Sequence, residues 1–357
     1  MPKLRSVFAA TFVAVMCLPH AFAADTLLVS HQQSLYEYTL AGNLVSQATI
    51  PAGGDSGARD IVQTRTNAVA VFNGTFSPRL SVLRAGAWTS TAIAGWSTVN
   101  NGTYGGIASL GHFLYVTDMA TAGAVERGLI RVDTRSGTNQ RFLQGRDYID
   151  VSAGLDGKLY ALQNDYGLLD VIDPASMTVI AQRALGHMSG SRAVAVDADG
   201  TIFMASWGGY VAKFSAAGVE LERRTFANNL SDIDINDAGL LVMGTWFGKV
   251  FVSDVELATE TSFGVGSSDA FVAFRDPSPH TLVATHAGSG ITRRLVLNWT
   301  GGTSSIDVMR NGQLVYRGAN TGTYSHLSVP TRKPNTYEVC NTGRTCTETL
   351  LVPWTSM

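Results

Sequence analysis

Four aspartates stand at the head of apolar runs in this sequence: Asp60 before IVQ, Asp150 before VSA, Asp232 before IDIN and Asp269 before AFVAF. Arg59 and Arg192 hold matching places, and Tyr166, Trp207 and Trp246 lie in short turns closed by glycine. Carboxylates gathered by a fold would hold a hard divalent cation through oxygen. With aromatic walls beside them they would instead hold a cationic ligand. Each residue also has a plainer use. An Asp accepts backbone N–H bonds in its own turn, and a large aromatic packs on a neighbour.

Other chemistry is harder to find. His187 stands in the polar stretch GHMSGSR beside Arg192, and it is the one histidine of the seven placed to serve as a general base. Gly54-Asp55-Ser56-Gly57 imitates a serine-protease nucleophile segment but falls in a turn, without the converging partners a triad needs. Asp232-x-Asp234-x-Asn236 imitates a calcium loop, yet Asp237 stands where that loop needs glycine and Met243 where it needs Glu. There is no HExxH, no GxSxG and no phosphate-binding loop.

The elements that must position these residues come from an internal repeat. ASWGGYVAKF (205–214) and GTWFGKVFVS (244–253) are echoes 39 positions apart. Glycines precede apolar runs at Gly111, Gly157, Gly200 and Gly239, and turn glycines recur in TLAGN, RAGA, RSGT and SAAGV. Before each new run comes another short apolar segment: IVQ, GIAS, YIDVSA, RAVAVD, DIDIN, AFVAF. Four short strands per roughly 42 residues, with no helical period, predict an all-β fold, a β-propeller. Six blades are expected, seven being the alternative, with AFVAF (270–274) closing the ring onto residues 26–50. In such a ring the innermost strands line a central channel. The aspartates should then stand round its mouth, on the face that carries the aromatic turns.

Composition bounds the rest. The 357 residues are 45% hydrophobic and 15% charged, with 37 glycines, a turn-rich globular profile. MPKLRS, the apolar run VFAATFVAVMCL and Ala21-Phe22-Ala23 read as a secretory signal peptide over residues 1–24, cleaved after Ala23 or Ala24. The 26 basic residues less Lys3 and Arg5, against 28 acidic ones, leave a net charge near −4. That argues against nucleic acid or an anionic membrane surface as partner, and no membrane insertion is expected after cleavage. Cys340 and Cys346, bound for an oxidising compartment, are expected to form a disulfide.

The segment DVIDPASMTVIAQRALG (170–186) resembles the repeat of YVTN-type and NHL-type propellers of secreted bacterial proteins, as does LIRVDTRSGTNQRFL (129–143) more loosely. From Leu295 the rhythm changes to LVLNWTGG, SIDVMRNGQLVYRG, TYSHLSVP and NTYEVCNTG around an Asn311-Gly312 hairpin. This stretch resembles the fibronectin type III or immunoglobulin-like modules of secreted bacterial hydrolases, with Trp299, Tyr337 and Val339 as its core. The division expected is a propeller over 25–286, a linker over 287–294 and the module over 295–357. The resemblance implies a secreted or periplasmic binding protein for an extracellular protein, peptide or glycan. The alternative it implies is a metal-assisted lyase or lactonase at the channel mouth. No cofactor is expected beyond a divalent cation on Asp60, Asp150, Asp232 and Asp269.

Overall fold

The computed structural model describes residues 25–51, 57–73, 78–93, 105–119, 127–154, 156–164, 167–186, 190–226, 229–275, 279–287, 294–302, 305–327, 334–341, 346–347 and 349–353. Among them there is no helix. Residues between Thr26 and Arg275 form four-stranded antiparallel sheets, six among those described. The innermost strands are Ala58–Gln63, Ile107–Leu110, Tyr148–Ala153, Ser191–Val196, Leu230–Ile235 and Ala270–Arg275, and each touches the next in a closed cycle. Sheets are numbered one to six in that order.

The ring closes by hydrogen bonding, not by a covalent link. Ala270–Arg275 pairs antiparallel with Thr26–His31, from Thr26 opposite Arg275 to His31 opposite Ala270, so the first and last strands share sheet six. This is the closure expected from AFVAF. Alternating side chains feed both faces of each sheet, and an apolar cluster fills every seam. Phe72 and Leu114 meet between sheets one and two, Tyr160 and Met204 between three and four, Phe203 and Phe251 between four and five. Burying a large aliphatic or aromatic side chain contributes roughly 1.5–3 kcal/mol, so the seams are the ring's main source of stability.

The aromatic turns have the geometry their glycines imply. Gly209 and Gly248 have φ of 78° and 66°, and their amides donate to Ser206 and Thr245 at 2.9 and 3.2 Å. Any other residue would be strained in that left-handed region.

Beyond Arg275 two further sheets enclose one core of Leu295, Leu297, Trp299, Ile306, Val308, Tyr337 and Val339. Asn311 and Gly312 both have positive φ, as a two-residue hairpin turn with right-handed twist requires. One boundary needs correction. Strand Pro279–Ala287 pairs with Arg294–Gly301, not with any strand of the ring. The unit after the ring therefore begins before residue 287, and TLVATH belongs to it. Alternation alone could not say which sheet that strand would join. Cys340 and Cys346 are disulfide-bonded.

Candidate functional site

Three of the four aspartates come together, but inside the channel wall. In sheets one, three and five the pairing of the innermost strand slips by one residue, between Ala58 and Asp60, Tyr148 and Asp150, and Leu230 and Asp232. Such a bulge re-aims the side chain that follows it. That residue is the Asp in each case, and it turns toward the adjacent blade. Asp60 accepts the amide of Ile61 at 2.6 Å and that of Ile107 in sheet two at 2.6 Å. Asp232 accepts Ile233 at 2.8 Å and Val272 in sheet six at 2.6 Å. Asp150 accepts Val194 in sheet four at 2.7 Å, together with the amide of Val151. The carboxyl groups thus pin sheet one to two, three to four and five to six. The corresponding residues of the alternate sheets are Gly106, Ala193 and Phe271, none of which carries a carboxyl. Gly106 leaves the room: a Cβ there would lie 2.0 Å from Asp150 Oδ1.

Burial of these side chains raises their pKa values, and mutual repulsion adds to it. Burial pushes Asp60 and Asp232 well above the ordinary carboxylate value, and the nearby carboxylates push further, while the amide bonds pull the other way. Burial holds Asp150 at about 7. A cavity of about 90 Å³ lies on one side of the three carboxyls, lined by Gln63, Arg65, Ser109, Ser152 and Asp234. On the other side Arg59, Arg192 and Phe271 line a neck of about 10 Å³, about the least that admits one water. Arg59 is itself buried.

The metal reading fares poorly on this geometry. Each carboxyl already accepts two backbone amides. Among the described residues no group of three or more His, Cys, Asp or Glu side chains is arranged to hold a metal ion. The Asp232–Asn236 segment is likewise no calcium loop. Asp234 accepts Ile235 and Phe274, both at 2.8 Å, and Asn236 Oδ1 accepts the amides of Ala238 and Leu240.

Asp269, the fourth aspartate, stands apart, on the rim where the innermost strands begin. Burial pushes its carboxyl up to about 7, against the pull of Arg192. Arg192 reaches the aromatic turns: its guanidinium lies 4.7 Å from the centre of the Trp207 ring. Trp207 and Trp246 meet edge to face, with centroids 5.0 Å apart and planes at 73°. This contact between turns of sheets four and five is the packing expected of large aromatics. Phe247, beside Trp246, is 54% exposed. The turn carrying them ends at Gly248, which lies so close to Gly266 that a Cβ would come within 2.6 Å of its carbonyl carbon. Gly266 abuts the His31 imidazole, and His31 Nε2 accepts the Ser268 amide at 3.2 Å with Ser268 Oγ at 3.1 Å. From Trp207 through Trp246, Gly248 and Gly266 to His31 and Ser268, a chain of contacts spans the rims of sheets four, five and six, and the charge of Arg192, stacked on Trp207, acts on Asp269 at its far end.

Of the residues singled out in the sequence, the structure brings Asp60, Asp150 and Asp232 together in the channel. Arg192, Trp207, Trp246 and Asp269 gather on the rim. Arg59 lies between the two groups. Tyr166 and His187 lie outside the described residues. His31, Phe247, Gly266 and Ser268 were not anticipated. Phe247 stands inside the repeated turn motif and so was within reach of the sequence. His31 touches Ser268 only because the ring closes 237 residues later.

No protein-family model matches the chain, and no curated protein sequence does either. Solved structures share its fold. A chain of the nidogen/laminin complex is 12% identical with a TM-score of 0.57, over 70% of this chain and 98% of that one. Streptogramin B lyase is 9% identical with a TM-score of 0.49, over 68% of this chain and 87% of the other. The WD40 domain of Neurospora crassa Pan2 is 12% identical with a TM-score of 0.47, over 77% and 84%. At such identities likeness bears on fold alone, and the chain is an all-β protein of β-propeller architecture by its own sheet topology and by its likeness to the nidogen/laminin chain.

Proposed function

We propose that this chain is a secreted propeller of the YVTN/NHL kind that binds a protein, peptide or glycan ligand. The binding surface is the rim of sheets four to six, around Trp207, Trp246, Phe247, Arg192 and Asp269. One observation carries the reading: a partly buried aromatic pair and a strongly exposed Phe247 are held on glycine-fixed turns, flanked by one cation and one acid. Rigid aromatics lose little freedom on binding and dominate the energetics of many interfaces. The signal-like N-terminus and the disulfide agree with an extracellular or periplasmic destination, and the terminal unit is read as an immunoglobulin-like spacer.

The test is a screen of glycan and peptide arrays with the intact mature chain, followed by affinity measurement on each hit. Phe247→Ser and Trp246→Ala should each weaken binding at least about tenfold. Leu221→Ser, on an exposed outer strand, should leave it unchanged. Hits that bind both rim variants as tightly as the native chain would show the surface to be misplaced.

A further inference from the structure

His31 sits where the ring closes, at the end of strand Thr26–His31, and is 8% exposed. Its Nε2 faces a backbone N–H, that of Ser268, at 3.2 Å. An N–H donates only, so this nitrogen must be the unprotonated one and the ring proton must sit on Nδ1. The Ser268 hydroxyl, at 3.1 Å from the same atom, is then a second donor. Gly266 presses on the same side of the ring, since a Cβ there would lie 2.2 Å from Nε2. The segment 264–269 is thereby tied to the closing strand by one acceptor atom. That segment supports the Trp246–Gly248 turn on one side and carries Asp269 toward Arg192 on the other.

We propose that His31 is a pH-sensitive latch, whose protonation converts Nε2 from acceptor to donor, drives off the Ser268 amide and loosens the 264–269 segment beneath the rim. The proposal concerns regulation of the surface described above and rests on that reading for its functional meaning, though not for its chemistry. Burial alone holds the imidazole below its ordinary value of 6.5, with no charge contributing. The charged and titratable groups on the surrounding elements are few. Asp269 beside Arg192 lies on the loop, and Arg59 on the strand whose Gly57 abuts Gln32. Lys249, on the strand after the Gly248 turn, is stacked on Phe251. Glu37, paired with Arg275, stands with Tyr36 and Tyr38 on the other flanking strands. At neutral pH the latch is closed, and acidification opens it.

Hydrogen exchange of the 264–269 segment in the ligand-free chain tests this, after correction for intrinsic pH dependence. Between pH 7.5 and pH 5 its protection should fall about tenfold, the size of one lost hydrogen bond. The outer strand Glu220–Thr225 should not change. His31→Gln retains an acceptor that does not titrate, and should abolish the pH effect. If that variant fails to fold, the imidazole tautomer of the native protein decides, read by nitrogen NMR at pH 7.5. A proton on Nδ1 supports the latch, and one on Nε2 overturns it, as does equal protection at the two pH values. No ligand is present, so a wrong ligand surface would show in the Phe247 experiment and not here.

Discussion

Asp150 allows the channel carboxyls to be tested by number. Burial raises it from 3.8 to about 7 in the folded chain. A group raised on folding contributes stability that is complete below its unfolded value and is lost as pH climbs through its folded value. Three pH units at about 1.4 kcal/mol each make about 4 kcal/mol, present at pH 4 and gone above pH 8. Asp60 and Asp232 shift the same way. His31 and His112, both held down by burial, oppose them by losing stability as pH falls through their folded values, below 6.5. The comparison with Asp150→Asn removes those shared contributions. Urea unfolding followed by tryptophan fluorescence, at half-unit steps from pH 4.5 to 8, gives the free energy of each protein. The difference, native minus variant, should fall by about 1.4 kcal/mol per pH unit between pH 5 and 7. A flat or rising difference would refute the argument. It would mean that the amides of Val194 and Val151 outweigh desolvation and keep Asp150 ionised.

Three further outcomes follow from the packing. Gly106→Ala should cost several kcal/mol, at least about 3, because its methyl group would meet Asp150 Oδ1 and the Val151 amide; Gly264→Ala, with open space around it, serves as control in the same melts. Tyr148→Phe removes the hydroxyl that donates to fully buried Asp170 at 2.6 Å, and should lower stability by about 1–3 kcal/mol in urea unfolding. Arg65 donates to Glu338 Oε2 at 2.5 Å and to Cys346 Sγ at 2.8 Å. Arg65→Ala keeps the backbone carbonyl that accepts the Cys346 amide but loses the guanidinium bonds, and should therefore loosen the terminal unit's hold on the ring, seen as faster proteolysis after Arg275 while the ring itself stays protected.

Much of the fold was legible because propeller blades repeat local signals. Turn glycines, short apolar runs and the closing AFVAF segment all depend on neighbours within one blade or on a simple count of strands. Strand Pro279–Ala287 was misassigned because its alternation fits a blade and a sandwich equally well, and only its partner strand decides. The aspartates were legible as residues but not in their role. Their partners are amides 40 to 47 positions away on the next blade, and a bulge decides which way each side chain points. One signal was available: Asp followed by a β-branched residue recurs at 60, 150 and 232, in every second repeat. His31 gave none, since its contact exists only once the ring has closed.

The closing strand also settles which way the molecule faces. Thr26 lies opposite Arg275, at the same end of the ring as Arg65 with its hold on Glu338. The chain therefore enters the ring and leaves it on one side, and the terminal unit is moored there. Trp207, Trp246 and Phe247 stand on the other side, so a tether at either terminus would present the aromatic rim outward, unshadowed by its own attachments.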